Sequence, residues 1–164
     1  MAILKVLTIP NLILKQTCSA VDNINDSVKK FINDMQDTMN TSDYCVGIAA
    51  PQVGVSSRII VVNVSLNPKP HRNNGLVVMI NPAITYASGK LKSREGCLSV
   101  PNFTGNVLRN DKITVEYLDT NGTKKILKTS GFESIVIQHE IDHLNGIVFL
   151  DKVSSLKTDV FKRV

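Results

Sequence analysis

An α+β domain is the fold this sequence predicts, and three observations predict it. Runs of β-branched residues separated by turn signals occupy the middle of the chain. Helical apolar periodicity is confined to a stretch before them and a stretch after them. Strands gathered in this way, with hairpin turns between them, do not alternate with helices as a doubly wound sheet requires. The expectation is antiparallel or mixed strands packed around a central helix that carries His-Glu-x-x-His, with an amphipathic helix nearer the N-terminus. A chain of 164 residues suits one domain, taken as 1–164.

The elements follow in order. Residues 24–39 place Ile24, Val28, Ile32, Met35 and Met39 at helical spacing, with Asp26, Lys29, Lys30, Asp34 and Asp37 between them. This is the amphipathic helix, and its methionines are core residues. Residues 58–64, RIIVVNV, are nearly all apolar, as in a strand covered on both faces. Residues 67–75 form a turn-rich loop, 76–81 a strand stopped by Pro82, and 113–119 an alternating strand. Thr120-Asn121-Gly122 then offers a hairpin turn to a returning strand at 123–128. Residues 130–144 switch to helical period, with Ser130 and Glu133 spaced as a capping box and Asn145-Gly146 as the stop. A short last helix is expected at roughly 154–163.

Composition bounds the function. The formal net charge of +5 serves mainly for solubility, although Lys157, Lys162 and Arg163 form a small basic cluster. No nucleic-acid-binding motif accompanies it, and five Phe, three Tyr and no Trp give little for bases to stack on. Sequence-specific nucleic-acid binding is therefore not expected. Cys18, Cys45 and Cys97 are an odd, widely spread set, which argues for a reducing compartment rather than a disulfide framework. Lys5 and Pro10 interrupt the apolar N-terminal run, and no stretch approaches the ~20 apolar residues that span a membrane. The expected location is cytoplasmic and the expected state a monomer.

His139-Glu140-Ile141-Asp142-His143 carries the chemistry. The two histidines are four apart, so both imidazoles leave one face of the helix and can bind one ion. Glu140 lies about 100° around the axis from His139 and can take a proton from a water on that ion. Ile135-Val136-Ile137 just before the motif implies a buried helix. A third ligand is needed. The candidates are His71, Asp142, Asp151 and the cysteines. Asp142 is better placed to orient a histidine, and Cys97 stands out in Arg94-Glu95-Gly96-Cys97-Leu98-Ser99-Val100-Pro101. Two histidines and a cysteine would suit zinc. In Gly47-Ile48-Ala49-Ala50-Pro51-Gln52, the Gln52 amide could donate to an oxyanion if that loop lines the site. Phe132, Ile135 and Val136 precede His139 by seven, four and three residues, so they face the same side and suggest an apolar slot.

Together these stretches resemble the peptide deformylase family. Its motifs Gly-x-Gly-x-Ala-Ala-Pro-Gln, Glu-Gly-Cys-Leu-Ser and Gln-His-Glu-x-Asp-His appear here as Cys45–Gln52, Glu95–Ser99 and Gln138–His143. The resemblance implies a hydrolase that removes the formyl group from N-formylmethionine on new proteins. It implies Cys97, His139 and His143 as metal ligands, Glu140 as general base, and Gln52 with the Leu98 backbone N–H as oxyanion donors. Gly47 would pair with an extended peptide, and Val46 would join the methionine slot. It implies iron(II), with nickel, cobalt or zinc able to occupy the site, N-formylmethionyl peptides as partners, and transient ribosome contact left open by the short tail. Cys45 departs from the family glycine and would narrow the pocket mouth. A metalloprotease would share the Glu140 chemistry, but this sequence lacks the downstream His or Glu ligand motif it would need, and a structural metal would need a closed four-ligand shell.

Overall fold

Ile59–Asn63 sets the layering, because its side chains face two different layers. The computed structural model describes residues 2–163. The strands are β1 (Gly47–Ala49), β2 (Ile59–Asn63), β3 (Leu76–Ser88), β4 (Leu91–Cys97), β5 (Val100–Arg109), β6 (Lys112–Leu118), β7 (Lys124–Ser130) and β8 (Val160–Lys162). They make a five-stranded sheet in the order β1-β2-β3-β6-β7 and a three-stranded sheet in the order β4-β5-β8. Every pairing of these strands is antiparallel. Two α-helices, α1 (Asp26–Met39) and α2 (Gly131–Leu144), complete an α+β architecture.

Ile60 and Val62 of β2 pack with Met79, Val115 and the α2 residues Val136, Ile137, Ile141 and Leu144. Ile59 and Val61 point the other way, to Ile32, Met35 and Met39 of α1. A strand covered on both faces has no polar side to present, which explains its unbroken apolar run. A third cluster, Cys97, Val100, Val107, Val148 and Phe149, ties the smaller sheet to the chain beyond α2.

At the start of α1 the Asn25 side chain accepts from the Val28 backbone N–H at 3.0 Å. Asn25→Ala should cost about 0.5–2 kcal/mol. Urea unfolding should show this as a lower midpoint with an unchanged slope.

Three local expectations need correction. β3 does not stop at Pro82 but runs to Ser88, with its register to β6 shifted between Ile80 and Ala83. The proline nitrogen, which has no hydrogen to donate, falls in that irregularity. The capping box at α2 does not form: Ser130 makes no side-chain cap, and Glu133 accepts instead from the Asn74 backbone at 2.7 Å and from Thr129 Oγ1 at 2.8 Å. Ser130 is held extended by pairing with Lys112, and Gly131, at φ +66°, turns β7 straight into the helix. The tail is no helix either. Val160–Lys162 pairs with Phe103–Gly105, where its β-branched and aromatic residues suit a strand.

α2 is buried on nearly every side, and it ends with Asn145 as cap and Gly146 in the left-handed region. The site therefore sits on a helix wedged between the two sheets.

Candidate active site

Three elements meet at one point. β4 ends in Cys97, α2 supplies His139 and His143, and the turn after β1 supplies Gln52. The register of β4 on β5 slips between Glu95 and Cys97, and Cys97 pairs with Val100 across a tight turn. That turn presents the thiol to the helix. Cys97 Sγ lies 3.4 Å from His143 Nε2. Cys97, His139 and His143 are all buried, and each offers a ligand atom within 4.8 Å of the others. Among the described residues this is the one such cluster. Of the third-ligand candidates, Cys97 is thus the residue brought to the histidines.

The polar support around this point is extensive. His139 Nδ1 donates to Glu95 Oε1 at 2.8 Å, which leaves its Nε2 facing inward. Glu95 in turn receives both Nε and a terminal nitrogen of Arg109, each at 2.8 Å. Arg109 also donates to Asp142, whose other oxygen faces Lys152 Nζ at 3.4 Å. Asp142 therefore does not orient a histidine directly. It steadies the arginine that holds Glu95, and Glu95 orients His139. Burial would raise the Glu95 carboxyl, but Arg109 and His139 hold it down at about 2. Burial would lower His139, yet Cys97 and Glu95 carry it well above its usual range. Burial and the neighbouring positive groups His139 and Arg109 push His143 well below its own.

Glu140 lies beside these groups, its Oε1 4.0 Å from His139 Nε2, while its buried Oε2 has no protein partner. Burial pushes this carboxyl up to about 7. Gln52 is 2% exposed and fixed by both ends of its amide: Oε1 accepts from the Ala49 N–H at 2.9 Å, and Nε2 donates toward Cys97 Sγ at 3.3 Å and Ser99 Oγ at 3.2 Å.

A cavity of about 340 Å³ opens onto this cluster. Val46, Gly47, Phe132, Ile135 and Val136 line it together with Gln52, Cys97, Leu98, His139 and Glu140. The residues singled out from three separate motifs thus share one chamber, with His143 behind Cys97. Phe132 is stacked on His71 at 4.3 Å between ring centroids, so the polar-loop histidine supports the apolar wall. Cys45 also lines the chamber; its thiol donates to the Gly47 carbonyl at 3.2 Å, and burial pushes it up to about 12. Glu95 and Arg109 escaped sequence reasoning as site residues. Glu95 lay in plain view two residues before Cys97, but Arg109 sits in no motif.

Gly47 is tight against the catalytic candidates. A Cβ there would meet Glu140 Oε1 at 2.8 Å and Val136 Cγ1 at 3.0 Å. Gly47→Ala should therefore displace the carboxylate and lower kcat/KM on the order of 10²-fold with little change in melting temperature. Steady-state kinetics beside a thermal melt would check both.

A donor set of one thiolate and two imidazoles suits zinc, iron or nickel. The orphaned Glu140 oxygen beside it is the atom a polarised water would satisfy. The residues present therefore fit a catalytic metal.

Comparison with known proteins agrees in extent and in fold. Residues 3–159 match the family model described as polypeptide deformylase. The peptide deformylase of Thermodesulfovibrio yellowstonii is 42% identical over 163 residues, covering 99% of this chain and 96% of that protein. The crystal structure of a peptide deformylase from Legionella pneumophila superposes with a TM-score of 0.86 at 39% identity, over 95% of this chain and 89% of that one. The peptide deformylase of Ehrlichia chaffeensis, solved in complex with actinonin, gives 0.87 at 39% identity, over 96% and 92%.

Proposed function

This chain belongs to the polypeptide deformylase family, and we propose that its cavity hydrolyses the formamide of N-terminal formylmethionine on newly synthesised proteins, releasing formate. The observation that carries this reading is the meeting of Cys97, His139 and His143 beside a buried, unpartnered carboxylate at the closed end of an apolar chamber.

Cys97, His139 and His143 would hold the ion, taken as iron(II) in the cell, with nickel, cobalt or zinc able to replace it. When bound, the ion supplies Lewis-acid polarisation and lowers the pKa of water. Glu140 accepts the proton of the attacking water and returns it to the leaving amine; its raised pKa suits a group that must do both. As the formyl carbon becomes tetrahedral, the Gln52 amide and the Leu98 N–H donate to its oxyanion. Both residues already line the chamber next to Cys97. Phe132, Ile135 and Val136, with Val46, make the apolar slot for the methionine side chain, and Gly47 offers its backbone to an extended substrate. This assigns α2 the part of a metal-binding centrepiece and α1 that of an amphipathic cover on the far side of the sheet.

N-formylmethionyl peptides are the partners this chemistry needs. The reading takes the protein as a monomer working in the cytoplasm, with at most transient ribosome contact; among the described residues no helix is long and apolar enough to cross a membrane. The test is formate release from a formyl-Met tripeptide by protein purified without oxygen and loaded with iron or nickel. Turnover is expected; a folded, metal-loaded protein that releases none would refute the proposal, and internal cleavage of unformylated peptides would point to a protease.

A further inference from the structure

The chamber has a buried end and an exposed end, and the exposed end is basic. Gln52, Cys97, His139 and Glu140 close the inner end, whereas Arg94, Gly96 and Arg163 line it at the surface. Neither arginine has a carboxylate partner among the described residues. Neighbouring acids are occupied elsewhere: Glu95 with Arg109 and His139, and Asp159 facing Lys92 at 3.9 Å.

The fold fixes the Arg94 guanidinium and the backbone of Arg163. Arg94 Nε donates to Thr104 Oγ1 at 3.1 Å, and its guanidinium lies 3.7 Å over the centroid of the Phe161 ring. Phe161 pairs with Thr104 across β5 and β8, and the Arg163 N–H donates to the Asn102 carbonyl at 2.8 Å. The strand β8 therefore brings Arg163 to the rim. Its guanidinium reaches over Gly96, where a Cβ would lie 2.6 Å from its terminal nitrogen. Any side chain at residue 96 would push this arginine aside.

We propose that Arg94 and Arg163 form a carboxylate-recognising subsite at the chamber mouth, favouring substrates with an acidic group downstream of the formylmethionine. The inference rests on the proposed function. If the formyl group reaches Glu140 and the methionine side chain lies against Ile135 and Val136, the rest of the polypeptide must leave by the exposed end. There it meets two planar donors whose geometry matches a carboxylate. Because both arginines are exposed, the gain is that of surface pairs, about two- to fivefold, and salt should weaken it. An acidic side chain and the terminal carboxylate of a short peptide offer the same chemistry.

The experiment compares formyl-Met-Ala-Glu amide, formyl-Met-Ala-Gln amide and formyl-Met-Ala-Gln free acid at low ionic strength. The Glu amide should exceed the Gln amide in kcat/KM by about two- to fivefold, through KM, with the advantage fading near 1 M salt. A matching gain for the free acid would show that chain termini are read as well; a gain for the free acid alone would confine the subsite to termini. Arg163→Gln should reduce the advantage, Arg163→Lys should restore part of it, and the Arg94→Gln/Arg163→Gln double variant should abolish it. Equal KM for the Glu amide, the Gln amide and the Gln free acid, or an advantage that survives the double variant, overturns the subsite. A Lys variant no better than Gln would assign Arg163 to holding β8 and overturn its part. Formate from the Gln amide separates these outcomes from failure of the proposed function, in which no peptide is deformylated.

Discussion

Glu140→Gln should keep its metal and its fold while kcat falls by roughly 10²–10⁴-fold. Glutamine preserves the volume of the side chain that crowds Gly47, but it has no oxygen able to carry a proton between water and amine. The wild-type carboxyl is pushed up to about 7 by burial. A cation at the three ligands draws that value down, because it favours the charged carboxylate. Activity should therefore be present above the resulting pKa and decline as pH falls through it, with the acid limb of kcat/KM below about 7. The variant should lack that limb. Metal analysis and formate release on the same preparation are the measurement. Loss of metal along with activity would make Glu140 structural, and full activity would remove it from the chemistry.

Arg109→Ala should lower folding stability by about 3–5 kcal/mol, because it strips the partner from a buried carboxylate. Arg109 is 3% exposed and Glu95 6%. The substitution would also free Glu95 to shift, loosening its hold on His139, and losses of this kind typically weaken metal affinity by 10–100-fold. Denaturant midpoints with and without metal, and a competitive metal titration, would test the two effects separately. The same pair gives the wild type an acid limit. Glu95 is held near 2 against an ordinary 4.5. A depressed carboxylate stabilises the fold above its unfolded value and loses that contribution as pH drops through the folded one. Stability should therefore decline between about pH 4.5 and pH 2, and the decline should be blunted in the variant. An unchanged denaturant midpoint in Arg109→Ala would contradict the whole account of the network.

What could be read from residues alone followed the range of the signal. β6 announces itself because its residues alternate with the period of a pleat, β2 because its β-branched apolar run is unbroken, and α1 because its core face recurs every turn. The candidate ligand pair His139 and His143 is likewise local. β4 and β5 went unread because Lys92, Ser93, Arg94, Gly96, Pro101 and Gly105 are poor strand formers, and pairing across the hairpin overrides them. The salt bridge from Arg109 to Glu95 crosses that same hairpin over 14 residues, a distance at which no periodicity connects them. Cys97 was chosen over rival ligands by motif context, and the slip in register after Glu95 supplies the physical reason. The tail misled because pairing with β5, not its own composition, makes Val160–Lys162 a strand.

The spans of the contacts at the site have a kinetic meaning. Gln52 to Cys97 covers 45 positions, Glu95 to His139 44, and Cys97 to His143 46. Loops of that length must close before any of these contacts rewards the chain, and such non-local topologies fold slowly compared with helical bundles. No fragment holding one motif can rehearse the arrangement, since each motif supplies only part of the polar set. Recovery of activity after dilution from denaturant should accordingly trail the return of helical signal and coincide with the burial of both sheets against α2, which makes turnover a clock for the slowest step in folding.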